Sequence, residues 1–170
     1  MDYYRALDIE TKLALDTNAL QRRFYDLSRQ WHPDRFTTKS HVEQREALEK
    51  TALLNDAFRT LRDPVLRGEY VLAQHNLEAS GQRGHDVPAA LLEEVLELNE
   101  ALAEADKQQI ERLLPQFRGT LDGIDVKLNE QFLAWDAANS PETLKPIRAT
   151  LNQRKYIANL VRDAERALER

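Results

Sequence analysis

Apolar residues recur along most of this chain with the period of an α-helix. Between residues 17 and 31, Leu20, Phe24, Leu27 and Trp31 stand at i, i+4, i+7 and i+11, and Arg22, Tyr25 and Arg29 fall on the other side of the wheel. Asp16 precedes this stripe as a good N-cap, so the pattern predicts a helix over 17–31. A second helix is predicted over 41–62, with Ala47, Leu54, Phe58 and Leu61 on one face. Asp63-Pro64 closes it, and Pro64 suits the first position of the next helix, "VLRGEYVLAQH". Ahead of all three, "DYYRAL" is an opening turn or two.

Residues 76–87, "NLEASGQRGHDV", hold two of the five glycines and no strong period, and read as a linker. Three long helical patterns follow. One starts at Pro88 and reaches about residue 105. In the next, Ile110, Leu114, Phe117, Leu121, Ile124, Leu128, Phe132 and Trp135 keep phase across Pro115, which predicts a kinked but continuous helix. After the turn "NSPE" at 139–142, a last helix runs to about residue 168 through Ile147, Leu151, Ala158, Val161 and Leu168, with Pro146 disturbing its first turns. The expected fold is all-α: an antiparallel helical hairpin with flanking short helices over 1–75, a linker over 76–87, and an antiparallel three-helix bundle over 88–170.

Composition agrees. Few glycines and scarce β-branched runs favour helices over a sheet. With 42% hydrophobic and 31% charged residues, the 170-residue chain can build a core. No apolar stretch approaches the roughly 20 residues that span a bilayer, and "MDYYRALDIE" has no secretory pattern, so a cytoplasmic, non-membrane protein is expected. The absence of cysteine fits a reducing compartment and excludes thiolate chemistry and cysteine-ligated metal. A net charge of −5 argues against nucleic acid as partner. That charge is uneven: residues 1–75 are neutral overall, whereas 86–106 carry seven carboxylates and no lysine or arginine. Two differently charged halves suggest two surfaces with different partners.

Two places could carry function. In "RQWHPDRF", residues 29–36, proline stops the helix and holds His32 and Asp34 at the end of a rigid rod. Such a tip suits recognition, catalysis or metal binding, and equally a plain turn with an aspartate cap. A metal-dependent hydrolase built on His32, Asp34 and His41 is the reading from another class. The four histidines show no HExxH-type spacing, and the chain has no nucleophile motif or glycine-rich phosphate loop. His75 and His85 read as surface residues, Trp31 and Trp135 as core.

The second place is the acidic helix. Leu91, Val95, Leu98 and Leu102 form its core stripe. Leu92 and Leu96 lie on a neighbouring strip, and Glu93, Glu97, Glu100 and Glu104 lie beyond them. The arrangement is either a docking surface for a partner with apolar and basic groups or a wide core stripe beside a solvated face.

"DYYRALDI", "RRFYDLSRQWHPDRF" and "NDAFRTLRDPVLRGEYVL" together resemble the consecutive landmarks of a J-domain. The resemblance implies that His32, Pro33 and Asp34 touch a DnaK-class ATPase chaperone and stimulate its ATP hydrolysis, with Arg22, Arg23 and Arg29 docking on an acidic surface. A J-domain followed by a linker and a bundle opening with "LLEEVLELNEAL" is similar to the HscB-type co-chaperones of iron–sulfur cluster assembly. That likeness implies a bundle that binds the scaffold IscU through Leu92, Leu96, Glu97, Glu100 and Glu104, joined by Tyr156, and presents it to the chaperone HscA. It implies no enzyme activity, no cofactor and no metal. Glu93 departs from the apolar residue frequent in bacterial relatives, and the cysteine-containing N-terminal extension of eukaryotic relatives is missing. A J-domain protein with another client is the alternative.

Overall fold

The first helices form where the hydrophobic pattern and the caps agree. The computed structural model describes residues 2–77, 87 and 89–170, and among these it contains helices and no strand. Helices α1 (Tyr3–Ala6), α2 (Thr17–Trp31), α3 (His41–Arg62) and α4 (Pro64–Gln74) come first. The Asp16 carboxylate caps α2 by accepting from the backbone N–H groups of Asn18 at 2.9 Å and Ala19 at 3.2 Å. Ser40 and Glu43 close α3 with a reciprocal box: Glu43 N–H donates to Ser40 Oγ at 3.2 Å, and Ser40 N–H donates to the Glu43 carboxylate at 3.0 Å. Asp63 ends α3 and caps α4, its carboxylate accepting from Val65 N–H at 2.8 Å. Pro64 therefore occupies a position whose N–H would have no intrahelical partner.

The chain divides into two compact units, Met1–Val71 and Leu72–Arg170. In the first, α2 and α3 pack as a hairpin and α1 rests against α3. Leu20 and Leu27 are buried from α2, and Ala47, Leu54, Ala57 and Leu61 from α3. Phe24 and Phe58 remain half-buried and stack at 4.2 Å between ring centroids, nearly parallel at 6°. Tyr70 ties α4 to α1: Tyr3 N–H donates to its hydroxyl at 2.9 Å, and the Tyr3 and Tyr70 rings stack at 4.6 Å. Burial holds the Tyr70 phenol above its ordinary range.

The second unit contains α5 (Leu92–Ala103), preceded by a 3-10 turn at Ala89–Leu91, then α6 (Lys107–Ala138) and α7 (Leu144–Glu169). All three pack against one another as a bundle. Val95, Leu98, Ile110, Leu113, Phe117, Ile157, Leu160 and Val161 form its core. Phe117 and Phe132 are each 1% exposed, and burial on that scale stabilises by about 2–3 kcal/mol per side chain. α6 runs unbroken through Pro115, as its apolar phase implied. Pro115 and Glu111 both lie on the exposed side, where water can satisfy the Glu111 carbonyl that loses its i+4 donor. Pro146 occupies the third position of α7, where N–H groups lack intrahelical acceptors in any case.

Some expectations shift. On α7, Ile157, Leu160 and Ala164 are buried while Ala158 is only half-buried, because the helix packs on both α5 and α6 and needs a broader apolar face than one stripe. Trp135 is core at 4% exposure, but Trp31 is half-buried. His75 is exposed and meets the Trp135 ring edge-on, while His85 lies outside the described residues. So does most of the linker expected at 76–87; Asn76 and Leu77 belong instead to the cap of α4, where Leu77 N–H donates to Leu72 O at 2.8 Å.

The α5–α6 turn is closed in the same way. Ala105 adopts φ 54°, Asp106 N–H donates to Ala101 O at 2.9 Å, and the Asp106 carboxylate then caps α6 through Gln109 N–H at 3.1 Å. Three residues thus reverse the chain and fix how α5 is presented.

Candidate functional site

Helix α2 stops at Trp31 because Pro33 forces His32 out of the helical region, to φ −58° and ψ 131°. A 3-10 turn over Pro33–Phe36 follows, secured by Arg35 N–H donating to His32 O at 2.9 Å. The His32 side chain caps this turn: Nδ1 accepts the Asp34 backbone N–H at 3.2 Å. An imidazole nitrogen that accepts is unprotonated, so in this tautomer the proton sits on Nε2. The imidazole is 58% exposed, and the Asp34 carboxylate is 88% exposed. Asp34 Oδ2 stands 3.6 Å from the same Nδ1. The two side chains form an ion pair only when the imidazole is protonated. The tip therefore presents one N–H donor and one carboxylate in fixed relation, with Pro33 half-buried between them.

The three arginines of α2 differ. The Arg22 side chain is exposed and makes no hydrogen bond or ion pair with a described residue. Arg29 is exposed and pairs with Asp26. Arg23 is half-buried and engaged within the unit, with Leu7 O and the Asp8 carboxylate. A shallow open depression beside the tip is lined by Tyr25, Ser28, Arg29, His32 and Arg35. Tyr25 and Arg35 add to the site residues that the sequence suggests. Tyr25 precedes His32 by seven positions on the outward face, a spacing visible in the sequence. Arg35 joins only because the 3-10 turn folds it back.

In the second unit, Leu92 is 47% and Leu96 is 62% exposed, so neither belongs to the core. Glu93, Glu97, Glu100 and Glu104 are exposed beside them. The core side of α5 is Val95, Leu98 and Ala101, with Leu91 and Leu102 partly buried at its margins. Glu97 and Glu94 meet α6: Arg112 reaches the Glu97 carboxylate at 3.3 Å, and Gln116 donates to Glu94 at 3.4 Å. The carboxylates thus grade toward α6. Tyr156 on α7 is half-buried against the bundle core. Arg112 is a neighbour of this face that helical periodicity could not supply, since it comes from another helix.

Among the described residues no group of His, Cys, Asp or Glu side chains is arranged to hold a metal ion. Nor is any helix among them long and apolar enough to cross a membrane.

A hairpin ending in an exposed His-Pro-Asp turn, followed by a separate helical bundle, defines a J-domain protein with a C-terminal helical unit. Residues 2–70 match the family model of the DnaJ domain, and residues 87–165 match that of the HSCB C-terminal oligomerisation domain. The crystal structure of the human co-chaperone protein HscB is similar, with 26% identity and a TM-score of 0.75 over 97% of this chain and 81% of that one. Chaperone HscB from Vibrio cholerae shares the fold, with 24% identity and a TM-score of 0.71 over 99% of this chain and 98% of that one. The chain belongs to the HscB-type J-domain proteins, co-chaperones of iron–sulfur cluster assembly.

Proposed function

We propose that this chain binds an IscU-type iron–sulfur scaffold through α5 and Tyr156, and delivers it to an HscA/DnaK-class chaperone whose ATP hydrolysis the tip stimulates. The observation that carries the reading is the division of labour between units. One exposes the His32 donor and the Asp34 carboxylate on a stiff hairpin. The other exposes Leu92 and Leu96 beside an acidic row. His32, Pro33 and Asp34 are the contact with the ATPase, and Arg22 and Arg29 guide the encounter with an acidic surface. Arg23 contributes to that field while bracing its own unit. Leu92 and Leu96 supply the apolar anchors for the scaffold, Tyr156 an aromatic one, and Glu97, Glu100 and Glu104 the complement to its basic groups. The chain itself carries out no bond chemistry. Its effect comes from tethering, which raises the local concentration of scaffold at the chaperone. Work in the cytoplasm fits this role.

The test is a chaperone ATPase assay with and without purified scaffold. Chain and scaffold together should stimulate turnover beyond the sum of their separate effects, and Asp34→Asn should abolish stimulation while leaving scaffold binding intact. Normal activation by Asp34→Asn would overturn the role of the tip. Failure to form a complex with the scaffold at micromolar concentration would assign the bundle another client.

A further inference from the structure

The tip is bracketed by two aromatic residues, and α3 holds one of them. Trp31 is the last residue of α2 and Phe36 the last of the 3-10 turn, so His32, Pro33 and Asp34 lie between them in the chain. Their rings stack with centroids 5.8 Å apart and planes 7° from parallel. That contact draws the two ends of the tip together. Across the hairpin, the Lys50 ammonium sits 4.0 Å from the centroid of the Trp31 ring, the geometry in which a cation is attracted by the ring's negative face. Next to it, the Thr51 hydroxyl donates to the Trp31 carbonyl at 3.1 Å. This carbonyl is one of the orphan acceptors at the end of α2. Lys50 is exposed and forms no ion pair with a described carboxylate, so its charge has the indole as its neighbour.

We propose that Lys50 is a positioning residue for the His-Pro-Asp tip. It pins the Trp31 ring from the α3 side, the ring holds Phe36, and the closed stack keeps the His32 donor and the Asp34 carboxylate in the relation a partner reads. The functional half of this statement rests on the reading of the tip as the ATPase contact. The structural half does not.

The experiment uses the full chain as wild type, Lys50→Met and Lys50→Arg. Met keeps an unbranched apolar stem without the charge, and Arg restores a cation that stacks on indole. Lys50 lies on the surface, so both variants should fold. Backbone ¹⁵N relaxation of the free protein is read at Asp34 and Arg35, and stimulation of a DnaK-class chaperone is read as maximal turnover and half-saturating concentration. Lys50→Met should loosen both amides and lower maximal stimulation about three-fold, the scale of one exposed cation–π contact. Lys50→Arg should restore both. Unchanged tip order in Lys50→Met overturns the proposal. So does a Lys50→Arg variant with an ordered tip and the stimulation of Lys50→Met, which would place the ammonium in direct contact with the partner. If the wild type stimulates no such chaperone, the functional reading of the tip falls, while the relaxation data still decide whether Lys50 braces it.

Discussion

Arg23 on α2 clamps the end of α1: its Nε donates to the Leu7 carbonyl at 3.1 Å, and Nη2 pairs with the Asp8 carboxylate. Leu7 is fully buried, and Asp8 adopts φ 52° in the cap that follows α1. The J-domain resemblance groups Arg23 with Arg22 and Arg29, but its guanidinium is occupied by its own fold. Arg23→Gln should therefore destabilise the first unit by about 1 kcal/mol, a half-exposed charged hydrogen bond discounted for screening. Arg22→Gln should leave the melting temperature unchanged and weaken chaperone docking, most visibly at low salt. Denaturant melts of both variants, paired with docking titrations at two salt concentrations, check the contrast. Equal loss of stability in the two would contradict it.

Leu92 and Leu96 give the cleanest separation of folding from binding. Because both are about half exposed or more, truncation to Ala should lower bundle stability by only about 0.5 kcal/mol each. Loss of a central apolar anchor in a partner interface should weaken scaffold binding about ten-fold. Calorimetric titration beside thermal melts decides this; a melt that falls by several kcal/mol would show the leucines to be structural.

Ala105 holds a left-handed conformation, φ 54°, that favours glycine. Ala105→Gly should relieve strain at the α5–α6 turn and stabilise the bundle by about 0.5–1 kcal/mol, net of glycine's greater freedom in the unfolded chain. A higher urea midpoint at unchanged m-value is the expected readout.

Glu43 predicts a response to acid. The Ser40 hydroxyl and then the Ser40 backbone N–H hold its carboxyl below the usual carboxylate range. A carboxyl whose folded-state pKa is depressed contributes stability above its unfolded pKa, and that contribution is lost as pH falls through the folded value. The first turn of α3 should thus begin to fray below about pH 4.5, the ordinary glutamate value. Amide exchange at Glu43 and Gln44 should rise there, and Glu43→Gln should remove the pH dependence. A wild-type exchange profile flat from pH 6 to pH 3 would refute it.

Local chemistry explains how much was legible beforehand. Asp16 and Pro33 bound α2 from within a few residues, so its span of Thr17–Trp31 follows from capping and proline sterics alone. The angle of Leu92 and Leu96 to the Val95–Leu98 stripe left a docking strip and a widened core both open, and their exposure in the fold decides for the surface. On α7 the same reasoning favoured Ala158 over Ile157, because a single-stripe template does not register that two helices cover the face. Trp31 read as core from its periodicity, yet it ends its helix, where one side of the ring faces Lys50 and not the interior.

Helix positions, the break at Pro33 and the passage of α6 through Pro115 were determined by the sequence itself, since each depends on neighbours within one or two turns. Only the tertiary structure decided that Arg23 is engaged, that Lys50 meets Trp31 and that Arg112 meets Glu97. Those pairings join residues on different elements, and their distances are set by how helices pack, which no periodicity along one strand of sequence encodes.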